Sequence, residues 1–161
     1  CSSIGKGMEI MKALVLYSSQ TGRVKKLAEA IRSVLPKDTD FLPMEQAPEN
    51  FDDYDIVFAG VWFLNLKLDN VSQAVLPRLK AGKVALFAIM HRDLFSDDIS
   101  KNLRSAVELL PSGVWVAGTH VNYVAEAMAR MPLGENELID VESVKDFAEN
   151  TYYRTQTNKV A

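Results

Sequence analysis

The chain has a single cysteine, Cys1, among its 161 residues, and that scarcity closes several routes at once. No internal disulfide can form, and no cluster or zinc site can be built from several thiolates. Histidine is almost as sparse: His91 and His120 are the only two, and they lack the i, i+4 spacing that would pair them on one helical face for a metal. Redox chemistry in such a chain would need a borrowed cofactor. No run of about 18 or more apolar residues occurs, so no segment is predicted to span a bilayer, and the start lacks a basic region followed by an apolar stretch. With 18 Lys+Arg against 21 Asp+Glu, the net charge is −3, and no basic stripe interleaved with aromatics appears to neutralise nucleic acid. Also missing are the Gly-x-x-x-x-Gly-Lys-(Ser/Thr) loop, a Gly-x-Gly-x-x-Gly turn after a strand, and the Gly-x-Ser-x-Gly elbow. Nucleotide hydrolysis, a dinucleotide fingerprint and serine-hydrolase chemistry are therefore disfavoured.

What is present is apolar substance. A hydrophobic content of 48% in 161 residues fits one ordinary domain, which at this size buries about 68–70% of its unfolded surface. Residues 1–10 are read as a disordered tail or an expression remnant, and a leading cysteine also fits a processed lipoprotein. The domain is expected over 11–153, with a polar tail over 154–161 and Tyr152 and Tyr153 at the surface. The balance of features leads us to expect a cytoplasmic protein.

Met11 to Tyr17 is almost continuously apolar, which predicts a strand buried on both faces of a parallel sheet. Val24, Leu27, Ala28, Ile31 and Leu35 then recur at helical spacing, with Pro36 as the stop. Thr39 to Leu42 is a short candidate strand and Glu45 to Asp53 a loop. Tyr54 to Val61, Gly82 to Ile89 and Val114 to Val121 are further strands. Between them lie Val71-Ala74-Val75, weakened as a helix by Pro77, and the stripe Ile99-Leu103-Ala106-Val107-Leu110, closed by Pro111 and Gly113. A last helix carries Val144, Phe147, Ala148 and Thr151 on one face, with Asp140 placed to cap it. Strands alternating with helices imply an α/β domain with a parallel sheet wrapped on both faces.

The junction Tyr17-Ser18-Ser19-Gln20-Thr21-Gly22-Arg23-Val24 carries the chemistry. Short hydroxyl side chains and a glycine let several backbone N–H groups converge, and the following helix adds its positive end, so an anion, phosphate above all, is the natural guest. Arg23, Lys25 and Lys26 stand in the first helical turn, where the dipole disfavours cations by about 0.3–1 kcal/mol each unless an anion is bound. The plainer account is three solvated basic residues tolerating a small penalty.

With these residues in view, the chain resembles flavodoxin-like proteins. The likeness lies in the opening strand, the Ser19-Gln20-Thr21-Gly22 turn, the helix after it, Asn50 to Gly60, and Gly82 to Phe87. It runs in order and spacing from Met11 to Tyr152. The resemblance implies a doubly wound, three-layer α/β/α domain with a five-stranded parallel sheet in the order 2-1-3-4-5, and FMN at the carboxyl ends of strands one and three. It further implies that Ser19 and Thr21, in the hydroxyl-rich turn that Ser18 opens, bind the FMN phosphate through hydroxyls, while Gln20, Gly22 and Arg23 offer backbone N–H groups. Val24 stands where the family pattern has another hydroxyl, so one phosphate hydrogen bond is missing, an expected loss of about 0.5–1.5 kcal/mol that Arg23 would compensate. The loop after strand three, read as Val61 to Asn70, would meet the isoalloxazine with Trp62 on one face and Phe63 second, Leu64 and Asn65 following. The loop after strand four, Met90 to Ser96, would bring His91 and Arg92 to the ring or its substrate. Neither loop contains glycine.

Each of these residues also has a plain structural reading. Trp62 could cap the sheet, and His91 and Arg92 could be an exposed loop pair. His120 is expected to be a satisfied structural histidine. The acidic groups Asp52-Asp53-Asp55, Asp97-Asp98 and Glu135-Glu137 could guide a basic redox partner, although most such clusters are loops or caps. The expected function is an FMN-binding electron carrier between larger enzymes. Two alternatives stand beside it: an FMN-dependent reductase of a small conjugated substrate such as a quinone or tetrapyrrole, and an interaction domain that kept the fold and lost strong FMN binding.

Overall fold

The computed structural model describes residues 12–18, 22–64, 67–91, 96–124, 134 and 139–160. In chain order the elements are β1 (Ala13–Tyr17), α1 (Arg23–Ser33), β2 (Asp40–Pro43), β3 (Ile56–Leu64), β4 (Lys67–Leu68), α2 (Asn70–Val75), β5 (Lys83–His91), α3 (Ser96–Leu109), β6 (Trp115–Val124) and α4 (Val141–Val160). The sheet order is β2-β1-β3-β5-β6, with the two-residue β4 off this path on β3. The five strands along the path pair in parallel, so without β4 the order is the expected 2-1-3-4-5.

Burial on both sides explains why the strands are near-continuous apolar runs. Successive side chains of a strand point to opposite faces. Ala13 and Val15 of β1 and Ile56, Phe58 and Trp62 of β3 therefore join Val24, Leu27, Ala28 and Ile31 of α1 and Val144, Ala148 and Tyr152 of α4 in one core. Leu14, Leu16, Val57, Ala59, Val61 and Phe63 face the other way, with Val75 of α2 and Ala106 of α3. Two cores on one sheet make the three-layer arrangement. Each fully buried Leu, Ile, Val or Phe contributes about 1.5–3 kcal/mol, so α1, with its charged face of Lys25, Lys26, Glu29 and Arg32 left exposed, is held by packing.

Helix α1 stops at Ser33, with Val34 as its C-cap. Pro36 lies just beyond and disfavours helical geometry at Leu35. Helix α2 is short, as Pro77 predicts, and gives way to a 3-10 turn at Leu76–Arg78. Asp140 caps α4 by accepting the Ser143 N–H at 3.2 Å. That backbone bond is the main cause that holds its carboxyl below the usual range.

The structure corrects two expectations. The segment from Val61 is not a loop: β3 continues to Leu64 and turns back, pairing Phe63 with Leu68 and Leu64 with Lys67. The alternation of buried side chains sustains the strand. At the other end, α4 continues as helix across Arg154 to Val160 where a tail was expected. Tyr152, expected at the surface, is fully buried, as is Thr155, while Tyr153 is exposed. The Arg154 Nη2 donates to the Ala117 carbonyl of β6, and the Thr155 hydroxyl bonds back to the Thr151 carbonyl at 2.8 Å. The first contact ties the helix to the sheet, and the second lies within the helix.

Candidate functional site

The chain leaves β1 toward β2 and leaves β3 toward β5, on opposite sides of the β1–β3 pair. In open doubly wound sheets the crevice beyond the carboxyl ends at such a switch point is where ligands bind. Tyr17 pairs with Gly60 at the end of β1, so β3 runs on past β1 through Val61 and Trp62 toward this crevice.

Ser18 is the first residue beyond β1, and it is 1% exposed. Its N–H donates to the Gly60 carbonyl at 3.0 Å. Its hydroxyl donates to the Asp69 carboxylate. Asp69, itself 8% exposed, lies just after the turn-back of β3, where its N–H donates to the Trp62 carbonyl at 3.1 Å. Its Oδ1 accepts from the Trp62 N–H at 3.2 Å and the Ser72 hydroxyl at 2.7 Å. Its Oδ2 accepts from the Ser72 N–H at 3.1 Å in addition to the Ser18 hydroxyl. One carboxylate thus joins the ends of β1 and β3 to the start of α2, for which Asp69 is the N-cap.

Gly22 is the N-cap of α1 and adopts φ 96°, ψ −11°, a left-handed conformation that glycine reaches without strain. No side-chain cap on α1 is found among the described residues. Of the three basic residues of the first turn, Arg23 is buried at 1% exposure, whereas Lys25 and Lys26 are exposed. Val24 turns toward the sheet. A Cβ on Gly60 would lie 2.8 Å from the Val24 Cγ1 and 2.5 Å from the Phe87 ring, so Val24 packs directly over Gly60.

Trp62 is 8% exposed. Its indole Nε1 is buried and has no hydrogen-bond partner among the described residues. Phe63 is 1% exposed and belongs to the core on the other side of the sheet, so strand alternation sends the two rings to opposite faces. Ser18 spends its one hydroxyl hydrogen on Asp69 and its N–H on the Gly60 carbonyl. Leu64 and His91 are the last residues of β3 and β5. Ser19, Gln20, Thr21, Asn65 and Arg92 lie outside the described residues.

His120 behaves as a structural histidine. Its Nε2 lies 2.7 Å from the Asn122 Oδ1, its ring stacks on Phe147 at 5.3 Å between centroids, and Asn122 donates onward to the Asp140 carbonyl. Asp52 and Asp53 are exposed. They precede β3, so they sit at the end of the sheet opposite the crevice and are badly placed to guide a partner to it. Asp55 accepts the Lys12 N–H at 2.8 Å there. Among the described residues no cluster of three or more His, Cys, Asp or Glu is placed to hold a metal.

Asp69 is the site residue that the sequence reading missed. Asp69 and Ser72 just before Val75 and Leu76 have the spacing of an N-cap signature. That signal marks a helix start, and says nothing of Ser18, 51 residues earlier.

Comparison with known proteins matches this geometry. A model of the flavodoxin domain matches residues 14–151. The flavodoxin-like domain-containing protein BilS of Clostridioides difficile (strain CD3) is 37% identical over 83 residues, which are 50% of this chain and 47% of that protein. The chain spans about half the length of this curated relative. A short-chain flavodoxin associated with a PDU bacterial microcompartment superposes with TM-score 0.62 at 16% identity, covering 91% of this chain and 99% of that one. Oxidised flavodoxin 2 from Bacillus cereus gives 0.58 at 20% identity, over 89% and 99%. A Lactobacillus acidophilus flavoprotein solved in complex with FMN gives 0.54 at 17%, over 70% and 93%. At these identities the solved structures speak for the fold alone.

Proposed function

This chain belongs to the flavodoxin domain family, and we propose that it is an FMN-binding electron-transfer protein that delivers electrons to a redox partner. The observation that carries this reading is the Trp62 indole N–H, buried near the end of β3 with no acceptor among the described residues. A buried donor left unsatisfied costs about 1–3 kcal/mol. A ligand rich in acceptor oxygens and nitrogens, docked in the adjoining crevice, removes that penalty, and FMN is such a ligand.

The residues around the crevice fit the rest of the group. Ser19 and Thr21 supply hydroxyls to the phosphate, and Gln20, Gly22 and Arg23 supply backbone N–H groups at the positive end of α1. The left-handed Gly22 supports this turn, and the buried Arg23 places its cation in the first helical turn. Val24 contributes no donor and instead seals the floor against Gly60 and Phe87. Trp62 excludes water on the β3 side, and His91 and Arg92 are assigned to the ring or its substrate as the family resemblance implies. FMN supplies the capacity to store and release electrons.

The absorbance of freshly purified protein, alone and after addition of FMN, tests the proposal. Flavin bands near about 370 and 450 nm that stay with the protein through gel filtration are expected. A colourless protein that ignores added FMN overturns the reading. Sustained turnover of a small acceptor in the absence of any partner protein replaces the carrier role with a reductase.

A further inference from the structure

We infer that Asp69 is the positioning residue of the phosphate turn, acting through Ser18, which is an anchor and not a phosphate ligand; this rests on the FMN reading above. Every donor of Ser18 is committed away from the crevice, its hydroxyl to Asp69 and its N–H to the Gly60 carbonyl at 3.0 Å. A phosphate accepts hydrogen bonds, so a serine without a spare hydrogen cannot serve it. What Ser18 does is fix the exit of the chain from β1. It is clamped between the end of β3 and the start of α2, and the turn that follows departs from a rigid point.

The clamp needs a carboxylate. Each Asp69 oxygen accepts one backbone N–H and one hydroxyl: Trp62 N–H at 3.2 Å and Ser72 hydroxyl at 2.7 Å on Oδ1, Ser72 N–H at 3.1 Å and the Ser18 hydroxyl on Oδ2. An amide has only one acceptor oxygen and would present an NH2 to one of the two backbone N–H groups. The same carboxylate holds the Trp62 backbone, so the phosphate end and the tryptophan wall of the crevice share one support. Its negative charge is bonded to Ser18, the residue from which the turn departs, and there it would oppose a phosphate, so geometry and charge pull in opposite directions.

Two substitutions separate these effects. Asp69→Ser keeps an N-cap for α2, because serine caps well, but is too short to hold Ser18. Ser18→Ala removes the link from the other end and leaves the Asp69 charge in place. Dissociation constants of the parent protein and both variants are measured by fluorescence titration with FMN and with riboflavin, which lacks the phosphate. Ser18→Ala, which spares the Asp69 bond to the Trp62 backbone, is expected to bind FMN about tenfold more weakly, the loss of one charge-assisted hydrogen bond, with riboflavin affinity unchanged. Asp69→Ser, which also frees Trp62, is expected to weaken both flavins, and FMN more. A purely structural role would weaken both flavins alike in Ser18→Ala, and that result overturns the inference. So does tighter FMN binding by Asp69→Ser, which would make repulsion the controlling effect, or unchanged FMN binding by Ser18→Ala. Parent protein that binds neither flavin defeats the FMN reading itself, a failure distinct from these.

Discussion

Gly60 shows how little room the residues beneath the crevice have. A Cβ there would sit 2.5 Å from the Phe87 ring and 2.8 Å from the Val24 Cγ1, and none of these side chains has free space to retreat, since Val24 and Phe87 are 1% and 0% exposed. Gly60→Ala is expected to destabilise the protein by about 1–3 kcal/mol, the usual cost of overpacking, read as a lower urea midpoint at unchanged slope. The same contact explains why Val24 occupies its position: in a first turn pressed onto the sheet, a methyl packs where a hydroxyl would need a partner. Serine 18 was chemically legible as a hydroxyl near an anion turn. Its allegiance was not, because the acceptor lies across a fold contact.

Among the elements, β2 and the approach to β3 are joined by Tyr54, whose hydroxyl donates to the Asp40 Oδ2 at 2.6 Å. Desolvation first, then this bond and the charges of Asp40 and Asp53, push the phenol up to about 12. The fold thus favours the neutral phenol over the unfolded value of about 10, so the stabilisation is complete below pH about 10 and is lost as pH rises through about 12. Denaturant midpoints of the parent are expected to fall across that window, and those of Tyr54→Phe to fall less steeply. The hairpin of β3 and β4 is the element that the sequence concealed. Val61 to Leu64 looked like the start of a loop because the strand's core residues had already been counted, yet Val61 and Phe63 still bury one face and Trp62 the other. Adjacent aromatics in a strand must diverge, which is why Trp62 and Phe63 lie in different cores.

For the molecule as a whole, the switch point between β1 and β3 makes ligand binding and stability a single linked equilibrium. FMN at about 100 times its dissociation constant adds about 2.7 kcal/mol to the free energy of unfolding. For a domain of this size that is a rise of about 5–11 °C in the thermal midpoint. Differential scanning fluorimetry with and without FMN checks it, with riboflavin expected to give a smaller shift because it lacks the anion. Among the described residues no helix is long and apolar enough to cross a membrane.

The amino-acid order alone specified the alternation of buried strands and amphipathic helices, hence the parallel sheet and its two covered faces, since those follow from local periodicity. It also marked an expected anion turn, because glycine and short hydroxyl residues at a strand-to-helix junction are a local signal. Tertiary structure decided which side chains serve the site. Ser18 turned to Asp69, Phe63 left for the far core, Trp62 joined the core beneath α1 and α4, and Tyr152 joined the interior. Each of these outcomes depends on a partner brought close by the crossovers of the fold, and distance along the chain carries no record of that proximity.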